Sequence, residues 1–412
     1  MYHTAGWCAA VVAPGESGTA MARRFLFRAL VPAATLALTG AIGFAPASAS
    51  QATWQIASVV GDPAGATQFS DVAASSPDNA WVTGIGCGDA FCSTLGAAVQ
   101  RWDGQSWQPF NLPDSNIGGS GFGVVVGTSS ASNTWIFGAD MNNVGYGVHV
   151  TDSGTTETTM PAAEGGLSFT AAAVFSPSDA WAFGVTGDFF NAVFSAYAAH
   201  YDGQTWTELP TPPVVPNVIS ALSSNDLWIL GQEDFGANAA TNAAAHWTGS
   251  GWETIPIPDA SGLKLPAGTL FQPTSILANS PSDVWVTAGL LTTCPPCGFG
   301  PGVLLLHWNG NSWHSVNVPA TIALFNEDMA PDGQGGFWVS GFAVNSATED
   351  LFHFLNDHWS QQPVPTQDSL EAQIGSLALV PGSTSLWGAA TLFNFSPDGS
   401  ESSQGAIYRY GP

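Results

Sequence analysis

The chain has 412 residues, six Lys+Arg against 31 Asp+Glu, and a formal net charge of −25. A 45% hydrophobic composition with 24 Phe and 17 Trp gives it ample material to bury, which excludes intrinsic disorder. Nucleic acid is excluded as a partner, because phosphate binding runs on Lys/Arg counterion release and those residues are nearly absent.

In chain order, the first feature is a targeting segment. Residues 1–20 read as an over-extended start. Met21 to Arg28 form a basic stretch, residues 29–44 an apolar run broken by Pro32, and Ala47-Ser48-Ala49 a small-x-small cleavage site. Residues 21–49 are therefore expected to be a signal peptide, so that the mature chain is secreted and extracellular, with no stable membrane anchor. Removing residues 1–49 takes away three of the six basic residues and one acid. It leaves Arg101, Lys264 and Arg409 against thirty acids, a net charge of −27. Four cysteines remain, Cys87, Cys92, Cys294 and Cys297. In an oxidising compartment this even set suggests two disulfides, with three pairings open and local pairing the most economical; a zinc site built from all four thiolates is the alternative.

Residues 50–412 form one repetitive domain. A small-polar turn followed by tryptophan recurs at Trp81, Trp135, Trp181, Trp228, Trp285, Trp338 and Trp387, at intervals of 46 to 57 residues. After each Trp come a short apolar strand, a variable loop and a strand that in most copies ends in a His/Arg-aromatic pair. Five copies read RWDGQSW, HYDGQTW, HWTGSGW, HWNGNSW and HFLNDHW, each leading into a fourth short strand. No amphipathic helical pattern appears. Four-stranded units of this length, repeated radially, predict an all-β, seven-bladed β-propeller. The last unit stops at Ile407-Tyr408-Arg409-Tyr410, one strand short, while Thr53-Trp54-Gln55-Ile56 matches a fourth strand. The N-terminal strand is thus expected to complete the last blade and close the ring, which also protects a free sheet edge.

Residues present once per blade are read as structural, since symmetric copies cannot converge on one reaction centre. The seven tryptophans are expected between blades. Arg101, His149, His200, His246, His307, His353 and Arg409 share one third-strand position and are assigned a hydrogen-bonding role inside each blade; His314 and His358 are surface residues. Asp103-Gly104-Gln105-Ser106-Trp107 and Asp202-Gly203-Gln204-Thr205-Trp206, with Asn309-Gly310-Asn311-Ser312-Trp313 as a near copy, resemble the Asp-box of sialidase-type propellers. The leading Ser is missing and one residue is lost between Asp and Gly, so the resemblance implies only a turn whose carboxylate caps backbone N–H groups. Kelch repeats are more distant, for lack of a recurring Gly-Gly pair. Over most of its length the mature chain is similar to secreted bacterial Trp-rich propellers.

Function is expected on the face bearing the long second-to-third-strand and blade-to-blade connections. Eighteen of the thirty acids fall there, Asp71, Asp140, Glu349 and Asp350 among them. Asp71, Asn217, Asn326, Glu327 and Asp328 begin inner strands and form the candidate ligand funnel, with Phe189, Phe190, Phe235, Phe299 and Phe393 as loop aromatics. Sialidase chemistry needs an arginine cluster that this chain lacks, and no G-x-S-x-G elbow appears. The favoured reading is a monomeric, non-catalytic propeller that binds a glycan, peptide or protein. The alternative is a carboxylate-dependent glycoside hydrolase or polysaccharide lyase, with Asp71 and Glu327 the first pair to test. No cofactor is expected beyond Ca²⁺ on loop oxygens, and metal ligands are not assigned.

Overall fold

A computed structural model describes residues 52–61, 65–87, 95–113, 117–119, 123–161, 165–188, 193–232, 242–258, 262–263, 269–292, 302–346, 348–367, 370–395 and 401–411. The targeting segment therefore lies outside the described residues. Every regular element among them is a β-strand, and the strands form seven four-stranded antiparallel sheets. Blade 1 starts at the inner strand Thr67–Ser76, blade 2 at Val125–Ser130, blade 3 at Gly166–Ser176 and blade 4 at Val215–Ser223. Blades 5, 6 and 7 start at Thr269–Ser280, Ile322–Pro331 and Glu371–Leu379. Each inner strand packs beside those of the two neighbouring blades, the seventh beside the first, so the inner strands line a central channel.

The N-terminal strand closes the ring as its sequence predicts. Thr53–Val60 pairs antiparallel with Glu401–Gly411, placing Trp54 opposite Tyr410, and becomes the outer strand of blade 7. Trp54 is buried in the core between blades 6 and 7, edge-on to Trp338 at 5.7 Å. Trp107, on the outer strand of blade 1, makes the same contact with Trp387 of blade 7 at 5.0 Å.

The repeated residues build one joint seven times. Each second-strand tryptophan is packed with residues of the next blade, as in the cluster joining Trp228 to Val284, Val286 and Trp313. The third-strand His or Arg lies on that indole: His149, His246, His307 and His353 sit 4.1–4.4 Å from Trp135, Trp228, Trp285 and Trp338, nearly parallel. Arg101 and Arg409 lie over Trp81 and Trp387 at 5.1 and 5.4 Å, as cation–π contacts. In blades 3, 4 and 5 the histidine Nε2 meets the aspartate that stands two residues before the Trp: Asp179 for His200, Asp226 for His246 and Asp283 for His307, at 2.7–2.9 Å. In blade 6 the longer turn supplies Asp332 to His353 instead, at 2.8 Å. In blade 2 the partner of His149 is Asn133, at 2.7 Å.

The Asp-box-like turns act as caps. Asp103 Oδ1 accepts the N–H groups of Gln105 and Ser106, and Asp202 Oδ1 those of Gln204 and Thr205, all at 2.8 Å. The following Gly104 and Gly203 adopt φ +93° and +94°, a backbone that glycine takes without steric cost.

Candidate functional site

Five inner strands carry a one-residue bulge at the same height, after Phe69, Phe169, Pro216, Pro273 and Ile374; blade 6 has a longer irregularity between Phe325 and Met329. Glycine three residues beyond the blade tryptophan makes room for the bulge in blades 1, 3 and 4. A side chain at Gly84, Gly184 or Gly231 would collide with the carbonyl of Gln68, Ser168 or Val215. Two residues before the partner of each blade tryptophan lies one ring position. It holds Asp71, Val125, Ala171, Val218, Ser275, Asp328 and Ser376 in blades 1 to 7. The ring is thus split into an apolar sector on blades 2–4 and a polar sector running through blades 5, 6, 7 and 1.

Within the polar sector, carboxylates tie adjacent blades together. Asp71 accepts the N–H of Val126 in blade 2 through Oδ2 (2.8 Å) and that of Val72 through Oδ1 (2.9 Å). Asp328 accepts the N–H of Leu377 in blade 7 through Oδ2 (2.7 Å) and that of Met329 through Oδ1 (2.8 Å). Between them stands the hydroxyl of Ser376, 3.3 Å from Asp71 Oδ1 and 3.0 Å from Asp328 Oδ2. Burial, reinforced by the charge of Asp328, pushes the Asp71 carboxyl up to about 7 against its backbone hydrogen bonds; burial also raises Asp328. Glu349, on the third strand of blade 6, accepts the N–H of Ile374 at 2.6 Å. The hydroxyls of Ser275 and Ser340 are buried in blades 5 and 6 without a hydrogen-bond partner.

Directly beside this chain, a narrow cleft opens between blades 7 and 1. It is lined by Gln68, Phe69 and Ser70 from blade 1 and by Gln373, Gly375, Thr391 and Phe393 from blade 7. The inner strands approach closely here, so that a Cβ on Gly375 would press on the backbone of Phe69 and Ser70 at about 3.2 Å. The lining carries no charge. It offers two carboxamides, two hydroxyls and the phenyl ring of Phe393.

Of the funnel residues expected from sequence, Asp71 and Asp328 come together through Ser376. Asn217 sits at the bulge of blade 4, in the apolar sector and away from them. Asn326 and Glu327 belong to the inner strand of blade 6, and their side chains lie outside the described residues, as do Cys92, Cys294, Cys297, Phe189, Phe190, Phe235 and Phe299. Cys87 ends the second strand of blade 1. Three acids assigned to the loop face lie at second-to-third-strand connections but are buried there. Asp140 is 8% exposed and caps its own turn through Asn142 and Val144, while Glu349 and Asp350 are buried in the third strand of blade 6. Ser376, Gln68 and Gln373 were not anticipated. Aligning the repeats on the tryptophan partner would have placed Ser376 in line with Asp71 and Asp328. Among the described residues, no group of three or more His, Cys, Asp or Glu converges as a metal site, and no helix is long and apolar enough to cross a membrane.

No protein-family model and no curated protein matches the chain in sequence. The fold itself has solved counterparts. YCF48 from Cyanidioschyzon merolae superposes with a TM-score of 0.53 at 12% identity, covering 87% of this chain and 99% of that one. A structure of YCF48 bound to D1 peptide gives 0.52 at 13%, covering 87% and 96%. The GH74 xyloglucanase from Xanthomonas campestris gives 0.51 at 14%, covering 86% of this chain and 55% of the enzyme. The chain is a seven-bladed β-propeller. At these identities the likeness is one of fold, and activity has to be argued from the site.

Proposed function

We propose that this propeller is an exported, non-catalytic binding protein that takes an uncharged, polyhydroxylated ligand, a glycan, on the surface around the cleft where blades 7 and 1 meet, the cleft itself, at about 20 Å³, admitting a single hydroxyl group. The observation that carries this reading is the lining of the cleft. Gln68 and Gln373 present donors and acceptors together, Ser70 and Thr391 add hydroxyls, and Phe393 supplies an aromatic face. That combination suits sugar hydroxyls and C–H faces, whereas an anionic ligand would meet Asp71 and Asp328 beside the cleft with no base to answer it. A peptide would call for apolar side-chain pockets, which the narrow cleft does not provide. The fold is compatible with either class of partner, since structural relatives include a propeller bound to a peptide and a xyloglucanase.

The hydrolase reading rests on one observation, that Asp71 and Asp328 reach the same serine hydroxyl and that Asp71 is pushed toward neutrality. Against it, both oxygens of each carboxylate already accept backbone N–H groups, which gives them a structural task. A glycan array combined with a polysaccharide-release assay on the purified protein separates the two. Binding without product release is expected, with Gln68→Ala and Phe393→Ala each weakening it about tenfold, the scale of one lost hydrogen bond or packing contact. Release of reducing ends that disappears in Asp71→Asn would establish the hydrolase instead. The export expectation predicts disulfides at Cys87, Cys92, Cys294 and Cys297, which a mass measurement before and after reduction detects.

A further inference from the structure

Ser376 has one hydroxyl proton and two carboxylate neighbours. It can donate to only one of them, and an ionised carboxylate has no proton to give back. If both acids were ionised, one contact would set a carboxylate oxygen against a hydroxyl lone pair. The contacts are satisfied together when one acid is protonated: Asp71 O–H donates to Ser376 Oγ, and Ser376 Oγ–H donates to Asp328 Oδ2.

We propose that Asp71, Ser376 and Asp328 form a hydrogen-bonded chain that holds one titratable proton, and that this proton clamps blades 6, 7 and 1 together in mild acid and releases its hold above neutrality.

Among the described residues, the surroundings offer no counterion to this pair. The inner strand of blade 2, which bonds Asp71, carries no titratable group, nor does the second strand of blade 7, Leu386–Phe395. The inner strand of blade 7 carries Glu371, exposed at its start. Blade 6 adds Glu327 on the same strand as Asp328, and Glu349, Asp350 and His353 on its third strand, the histidine being held by Asp332. The second strand of blade 1 carries no carboxylate, histidine, lysine or arginine. The last strand of the chain brings Glu401 and Arg409, and the guanidinium is taken up over Trp387. In a chain with six basic residues, a proton takes the place that Lys or Arg fills elsewhere.

The sign follows from the raised carboxyl. Asp71 has its ordinary value of 3.8 in the unfolded chain and about 7 in the folded one, so the folded state holds the extra proton between these limits. Stability from this group is complete below about pH 4 and is lost as pH rises through about 7. The clamp spans the joint at which the ring closes, and it is independent of which ligand the cleft takes.

Thermal unfolding of the full chain between pH 4 and pH 9 tests this, with Asp71→Asn as the permanently neutral comparison. The wild type is expected to lose melting temperature between pH 5 and pH 8, and the variant to lose that component of the slope even if it is less stable throughout. Titrations elsewhere, such as the five histidines, are common to both and cancel in the comparison. An identical slope in both proteins would overturn the proposal. Infrared spectroscopy of the wild type supplies a readout that needs no variant to fold. A carbonyl-stretch band of a protonated carboxylic acid is expected at pH 6 and gone at pH 9, and its absence at pH 6 would equally overturn the proposal.

Discussion

Each blade joint uses the same few side chains, and the departures from the pattern are informative. Four histidines meet an aspartate, whereas His149 meets Asn133, and burial without a carboxylate pushes the imidazole of His149 below its ordinary value. Asn133→Asp should therefore raise the His149 pKa, read from the pH dependence of its imidazole NMR signals; an unchanged titration would show that the carboxylate has no electrostatic hold on the ring. The two arginines fill the histidine position in blades 1 and 7, where the residue before the blade tryptophan by two is Asn79 in the first case and Ser385 in the second. With no carboxylate there, the guanidinium rests on the indole face, and Arg101 also reaches the carbonyl of Ala131 at 3.2 Å.

At the scale of the strand, the most exposed dependency is Thr53–Val60, which is supplied from the opposite end of the chain. Trp54 is 4% exposed, and it takes the place in blade 7 that Trp107 takes in blade 1. Trp54→Ala should destabilise the protein by about 3–5 kcal/mol, the range for removing a large buried aromatic, measured by chemical denaturation. A loss within ~0.5 kcal/mol, typical of surface positions, would mean that this strand does not lock the ring. Such features were legible in the sequence because they repeat: seven tryptophans, the His/Arg position and the two incomplete end units each announce themselves by recurrence. The candidate site was not. Asp71 and Asp328 could be placed at inner strands, but Ser376, Gln68 and Gln373 belong to positions where the blades differ, and a residue type that occurs once gives no periodic signal. The bulges also shift register by one residue or more, and a one-residue shift reverses the side of a strand on which a side chain projects. Glu349 and Asp350 stand where the third strand of blade 6 leaves the long loop, and only the structure shows that both are buried there.

Across the whole molecule, a near-symmetric ring carries an asymmetric channel. The apolar residues Val125, Ala171 and Val218 occupy one side, and the polar residues Ser275, Asp328, Ser376 and Asp71 the other, the last three joined by hydrogen bonds. The cleft opens within that polar side, beside the closing joint, so ring closure, the shared proton and the proposed ligand site converge on blades 6, 7 and 1. Abundant acid and scarce base make this arrangement intelligible: carboxylates are bonded to backbone N–H groups and to each other through a serine, because few cations exist to pair with them. Amide hydrogen exchange with and without the best-binding glycan of the array tests the central claim most directly. Slowed exchange confined to residues 67–71, 373–376 and 391–393 is the predicted result. Protection at the inner strands of blades 2–4, or at the two-residue turns on the opposite face, with none at these segments, would contradict it.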